Sequence, residues 1–307
     1  DDARITRALA LLFPSVILLS AGASLLGAGA HLVAVDFMQR LGHDAPSFIG
    51  WAWLAAPFAI GSCVIATVLI GHLFLRREER QRRLVLPAPE RSALTPRQRA
   101  VALITLLAVT AWASTAWHGI DATSIALAAA LAATCKPLTG IDMKTALKKV
   151  EWNLILFLAA TLLLGEALLH SGAAQRLADA LLGALPLAHW PAAAVIALAC
   201  ALALLSHLLI TSRTARALVL LPTVALPLAA TGVNPALLIF ITVLGSGFCQ
   251  TLAVSAKPVA LFAKAEVPTF NDGDLLRLAA ALLLPLGALL MFFALVVWPL
   301  QGLALRA

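Results

Sequence analysis

A chain of 307 residues that is 62% apolar and only 12% charged, with a mean hydropathy of +0.96, carries more apolar surface than a water-soluble core absorbs. Its formal charge of +7 would suggest nucleic acid in a soluble protein. Eight Arg, however, fall in the single stretch Arg76–Arg99 beside three Glu, which is the pattern of a cytoplasmic loop, and no nucleic-acid partner is expected. Cys63, Cys135, Cys200 and Cys249 stand alone in apolar runs without C-x-x-C spacing and read as small core residues. No signal peptide is visible, and the opening Asp1-Asp2 without an initiator Met reads as the start of a fragment.

Ala8 to Val35 holds no formal charge for 28 residues. As one straight helix it would run ~42 Å, too long for a simple span, and Pro14, Gly22, Gly27 and Gly29 offer places to kink or unwind, so a broken helix is expected. A polar connection, Asp36 to Pro46, leads to a span from about Trp51 to Leu75 and then to the basic loop, residues 76–99. Two further runs, Ala100–Trp117 and Ala122–Ile141, read as spans that return the chain to Lys144, Lys148 and Lys149. Both basic patches then lie on the cytoplasmic face, and Asp142–Glu151 reads as an interfacial helix. Trp152 opens the next span, to about His170, with its following loop outside.

Residues 191–230 are apolar at both ends and polar in the middle, at Thr211-Ser212-Arg213-Thr214-Ala215-Arg216. The two arms are too short to be comfortable spans. A re-entrant hairpin accounts for them, because non-helical backbone at membrane depth is tolerated where it lines a cavity. Asn234–Val254 runs into Ser255-Ala256-Lys257-Pro258 as a second broken helix, about 234–258, and Leu278–Trp298 within 278–300 reads as the last span. Six of the seven Trp, at 51, 53, 117, 152, 190 and 298, lie near predicted span ends, as in an aromatic belt.

Two segments are alike: Ala28-Gly-Ala-His-Leu-Val-Ala-Val35 with Pro46-Ser-Phe48, and Ser255-Ala-Lys-Pro-Val-Ala-Leu261 with Pro268-Thr-Phe270. Under the topology above they face opposite sides, giving an inverted repeat with the solute site at mid-membrane. Residues 1–75 then end the first repeat, 76–99 form the loop, and 100–307 form the second repeat; a first hairpin would fall ahead of residue 1. The expected fold class is an all-α polytopic membrane protein with an inverted repeat, broken helices and a re-entrant hairpin.

These residues resemble the divalent anion/sodium symporter family of the ion-transporter superfamily. The resemblance rests on Gly22-Ala-Ser-Leu-Leu-Gly-Ala-Gly-Ala-His31, on Val150-Glu-Trp-Asn-Leu-Ile-Leu-Phe157 with Gly165-Glu166 and Ser171-Gly172, and on Thr211-Ser-Arg-Thr214 with Leu220-Leu-Pro222. Family members hold substrate and sodium with a Ser-Asn-Thr hairpin tip and a Gly/Ala-Ser/Thr-Pro-Pro-Asn turn in each repeat. The resemblance implies that Ser212-Arg213-Thr214 is the tip, Gly27-Ala28-Gly29-Ala30-His31 the first turn and Val254-Ser255-Ala256-Lys257-Pro258 the second. Arg213, Thr214, Ser212, Ser255, Ala256, Ala28 and Gly29 would then face substrate, and Gly27, Val254 and Ser212 a cation, with His31, Lys257 and Arg216 as secondary candidates. The family Asn is Arg213 here, both Pro-Pro pairs are missing, and His31 and Pro258 replace Asn. A guanidinium in that place would stand in for one sodium ion, which points to proton coupling or exchange. Sodium or a proton is the coupling ion expected, with no other cofactor.

An intramembrane Arg costs at least ~2.5 kcal/mol on insertion scales and is a functional candidate by default. Arg216 admits both a functional and a snorkelling reading, Ser212 and Thr214 both ligation and ordinary capping, and His31 and Lys257 both a site role and a structural one. Glu166 and His170, four residues apart, read as a structural pair. The expectation is a secondary transporter for a small (di)carboxylate or other divalent anion, not an enzyme, working as a homodimer in the bacterial inner membrane. Two alternatives are an intramembrane enzyme built on Gly245-Ser246-Gly247 and Ala30-His31, and a non-transporting fragment completed by another chain.

Overall fold

A computed structural model of the chain describes residues 2–82, 93–150, 152–183, 185–252, 256–264 and 270–306. The described residues form helices and turns, with one isolated bridge between Val233 and Arg306. They fall into two compact units: one holds residues 1–46, 50–82 and 158–307, the other residues 47–49 and 83–157.

In the larger unit the first apolar run breaks at its glycines and not at Pro14, which sits inside α1 (Asp2–Ser20). Two short 3-10 turns, Ala21–Ala23 and Leu25–Gly27, separate α1 from α2 (Gly29–Arg40). Gly27 has to be glycine, because a Cβ there would run into the Ala21 carbonyl oxygen. The long α3 (Phe48–Phe74) follows, then the short α4 (Arg77–Gln81).

The smaller unit begins with α5 (Pro96–Ala113), opened by a capping box in which Thr95 and Gln98 bond each other's backbone N–H. It continues through α6 (Thr115–His118), α7 (Ala122–Ala133), α8 (Lys136–Thr139) and α9 (Met143–Lys148), and α5 packs against α7 and α8. The single span expected over 122–141 is not one. Pro137 clashes with the carbonyl four residues back, so α7 stops at Ala133, and its 12 residues reach only ~18 Å. Asp121 and Asp142 cap α7 and α9, and their hydrogen bonds from Ser124 and Thr145 hold both carboxyls below the usual carboxylate range.

The chain then returns through α10 (Trp152–His170) and α11 (Ala173–Leu182) to the hairpin. Its first arm is α12 (Ala192–Leu205) with a 3-10 turn at Ser206–Leu208. Its second is α13 (Arg213–Leu220), which runs through a π-helical turn, Leu221–Ala225, into α14 (Leu226–Ala229). The wide turn accommodates Pro222, which has no N–H to give. α15 (Pro235–Gly245), buried from Ala236 onward, follows, then α16 (Lys257–Ala263), α17 (Asp272–Phe292), a second π turn at Phe293–Val297, and α18 (Trp298–Leu300).

Among the described residues, three stretches are long and apolar enough to cross a bilayer: Ala3–Ala23, Phe48–Phe74 and Asp272–Leu300. Ala192–Leu208 and Pro235–Gly245 are apolar but shorter, as befits hairpin arms and half-helices.

Aromatic packing corrects one expectation. Trp53, Trp117 and Trp152 are exposed as a belt requires, but Trp51 and Trp298 are fully buried. They form a core cluster in which Phe240 stands 5.0 Å from each, centroid to centroid, and Phe58 and Phe293 lie against Trp298. Each indole N–H finds a carbonyl, Gly22 for Trp51 and Leu54 for Trp298, which is what lets a Trp be buried.

Candidate functional site

The two interrupted helices share a backbone design. The residue that caps α2, Ala28, has φ −154° and ψ 147°; the residue that caps α16, Ala256, has φ −155° and ψ 143°. Neither Ala offers a side-chain cap; the cap carbonyls instead accept from within the helix, Ala28 from His31 N and Ala256 from Ala260 N, each at 3.0 Å. The helices also pair crosswise, α1 against α16 and α15 against α2, while α2 packs on α13. The caps align Ala28 with Ala256, one residue away from the letter-by-letter register, which aligns Ala28 with Ser255. Val254 and Ser255 themselves lie outside the described residues.

The hairpin's polar centre grips the second break. Ser212 is the N-cap of α13, its Oγ accepting from Ala215 N at 3.3 Å, so the ordinary capping reading of this hydroxyl holds. Arg213 is the first residue of α13 and Thr214 the second, both part-buried. Arg213 presses its guanidinium on Gly247, where a Cβ would collide with Nη2. Arg216, one turn on, is completely buried and donates from Nη1 to the Phe248 carbonyl at 3.2 Å. It does not snorkel. The Cys249 thiol stands against the Arg216 guanidinium as a weak side-chain partner and within electrostatic range of Arg213, and the arginines lie within range of each other.

What these cations lack defines the site. Arg213 Nε, and Arg216 Nε and Nη2, are buried without a hydrogen-bond partner, as is the Gln250 amide nitrogen beside them. Among the described residues the ion pairs are Arg7–Asp274, Arg40–Asp36, Arg40–Glu166 and His170–Glu166, and none engages Arg213 or Arg216. A buried charge is normally paired, and a buried N–H normally bonded, so this group of donors has the chemistry to take an anion.

The first break is joined to the site through His31. Its ring is fully buried, its Nδ1 meets the Ser24 carbonyl at 2.9 Å, it stacks on Trp51 at 4.9 Å, and its Nε2 has no partner. Arg213 is within its electrostatic range. Gly27, Ala28 and Gly29 stand at the start of α2 with part of their surface open, and Ala256 and Lys257 likewise begin α16, Lys257 being exposed.

Sequence reasoning missed His207 and Gln250. His207, just past α12, is buried and bonds the Leu204 carbonyl at 2.7 Å and Thr251 Oγ1 at 2.5 Å, which fixes the break from the other arm. Its position between two apolar arms was the available signal. Gln250 accepts from Cys249 N through Oε1, leaving its NH2 for a ligand. The pairing of Glu166 with His170 is present at 3.8 Å, and Arg40, itself bonded to Asp36 at 2.8 Å, joins it at 3.6 Å. Asp36, Arg40, Glu166 and His170 rim a cavity of about 750 Å³ whose remaining lining includes Phe37, Leu218 and Pro222. Ser246, the nucleophile of the enzyme alternative, is buried and donates to the Val243 carbonyl of its own helix, while His31 bonds Ser24.

A helical protein with bilayer-length spans, two interrupted helices packed crosswise and buried guanidiniums without ion-pair partners among the described residues is an integral membrane protein of the broken-helix class. The chain belongs to the sodium:sulfate symporter transmembrane-region family, which matches residues 1–303. It is also similar to a protein described as a membrane protein from Cupriavidus necator, with 26% identity over 297 residues. That alignment takes in 90% of this chain and 55% of the relative, so the chain spans about half the relative's length.

Proposed function

We propose that the protein is a secondary transporter that carries a sulfate- or dicarboxylate-type dianion, bound where the hairpin meets the second break. The observation that carries this reading is the pair of arginines, Arg213 and Arg216, with three buried N–H donors unpartnered and no carboxylate beside them among the described residues. Two guanidiniums match two negative charges, and their planar forks suit carboxylate and sulfate oxygens alike. Ser212, Thr214, Ser255, Ala256, Ala28 and Gly29 complete the substrate surface in this proposal, with Gly27 and Val254 at the cation position that the family pattern assigns.

The matching caps at Ala28 and Ala256 support an inverted-repeat organisation, with residues 1–75 closing the first repeat and 100–307 forming the second. A homodimer in the bacterial inner membrane is the proposed assembly.

The test is thermal unfolding of the purified protein in detergent with sulfate, succinate or citrate, against chloride at equal ionic strength. A ligand that binds the native state alone raises the midpoint as its concentration passes Kd. Saturable stabilisation by one of these anions, lost in Arg213→Gln, is the expected result. The same response to chloride, or none to any dianion, overturns the proposal.

A further inference from the structure

We propose that the cavity of about 750 Å³ between α2, α10 and the second hairpin arm is a binding site for a membrane phospholipid with an ethanolamine headgroup. The proposal is independent of the anion reading, because the cavity shares no lining residue with the arginine cluster at the hairpin tip.

The cavity is polar at one end and apolar along its length. Its lining runs from Val33 to Arg40 on α2 and from Ala159 to Glu166 on α10, in each case two helical turns or roughly 10 Å. The charged groups gather where both helices end, α2 at Arg40 and α10 at His170. α10 has 19 residues and is roughly 28 Å long, close to the thickness of the hydrocarbon layer, so its last turn stands at headgroup level. Below the charges the walls are Val33, Phe37, Ala159 and Leu163, faced by Leu221 and Leu226 of the hairpin arm. Such walls offer a polar solute no hydrogen bonds, while an acyl chain needs none. The volume falls within the roughly 300–1,000 Å³ of ordinary ligand pockets.

The rim selects the headgroup. Arg40 Nε bonds Asp36 at 2.8 Å, but Glu166 stands 3.6 Å from Arg40 and 3.8 Å from His170, beyond hydrogen-bond length, and its side chain is about half exposed. Its carboxylate can therefore accept from a further donor. An ethanolamine ammonium brings three N–H donors for Glu166 and Asp36, and its phosphate suits the Arg40 guanidinium. A choline headgroup has no N–H to give and is held by aromatic cages, whereas the described lining has one aromatic residue, Phe37. A glycerol headgroup brings a net negative charge to a rim where two carboxylates face one guanidinium. The bound lipid would tie α10 to α2, the helix that packs on the Arg213 helix.

The experiment uses the protein expressed from its complete reading frame, purified in detergent with chloride and no dianion. Thermal unfolding is followed while phosphatidylethanolamine, phosphatidylcholine or phosphatidylglycerol with identical acyl chains is titrated in. The expected result is saturable stabilisation by the ethanolamine lipid at a concentration at least about tenfold lower than by either of the others. Glu166→Gln, which removes the accepting charge, is expected to erase that preference. Leu163→Trp keeps all four charged groups and fills the slot, and it should erase the preference with a lipid-free midpoint near that of the wild type, because Leu163 is largely exposed. Ala159→Phe, one turn deeper, is a second filling variant.

Equal stabilisation by the three lipids, none by any, or a preference for phosphatidylglycerol overturns the proposal. A preference that survives both filling variants puts the lipid outside this cavity. A Glu166→Gln protein that melts earlier without lipid yet keeps the preference makes the rim a structural ion-pair group and overturns the headgroup assignment.

Discussion

The two breaks have the same backbone cap and opposite chemistry. The first, at residues 21–28, is closed by its own 3-10 turns and braced by neutral aromatic contacts through His31 and Trp51. The second, after Gly245, is held by side chains from the hairpin, two of them arginines. A similar fold element is thus stabilised from within in one case and by cations in the other. Shape is common to both breaks, while the fixed charge sits at only one of them.

The sharpest way to break this contrast is to remove the buried cation. Arg216→Met keeps the apolar stem but deletes the charge, and loss of a buried charged anchor typically costs about 2–5 kcal/mol of binding, roughly 30- to 4,000-fold in affinity. Anion-dependent stabilisation should vanish, while the ligand-free midpoint should hold or rise, because an uncompensated charge has been removed. A variant that unfolds without ligand would mean that Arg216 is structural. Next comes a pair of glycines. At Gly247 a new Cβ strikes the Arg213 guanidinium and crowds the Leu244 carbonyl, whereas at Gly22 it makes ordinary contact with Leu244 at 3.5 Å. Gly247→Ala should therefore weaken anion binding by about 1–3 kcal/mol with the protein still folded, and Gly22→Ala should leave binding unchanged. Equal effects in a titration of the two variants would erase the distinction between the breaks. The smallest effect belongs to the first break: Trp51→Phe removes one hydrogen bond, to the Gly22 carbonyl, and should lower stability by about 1 kcal/mol without altering anion affinity. A changed affinity, read from the same thermal titration, would show that the two breaks are energetically coupled.

Much of this architecture was legible because glycine and charge are conspicuous in apolar sequence. Twenty-eight uncharged residues interrupted by glycines announced a broken helix, and two Arg between short apolar arms announced the hairpin. Features carried by apolar residues were not legible. The burial of Trp51 and Trp298 depends on which faces meet in three dimensions, and a Trp near a span end looks the same in the belt and in the core. The one-residue offset between the caps had the same origin, since runs of Ala and Val align almost equally well in either register. Pro14 and Pro57 are absorbed inside their helices, whereas Pro137, in a similarly apolar run, ends one, so a proline letter by itself does not tell the two cases apart. In the site, Arg213 was visible as an intruder among apolar letters, while Gln250 and His207 acquired meaning only from the partners they lack or hold.

The tryptophan cluster has a mechanical consequence. Trp298 donates to the Leu54 carbonyl and Gln301 to the Trp53 carbonyl, across 244 and 248 residues of sequence, and Phe58 and Phe293 interlock beside them. α3 and the α17–α18 rod are riveted near one end of each. In the proposed carrier these two rods move as a single strut, and the sliding surface lies elsewhere.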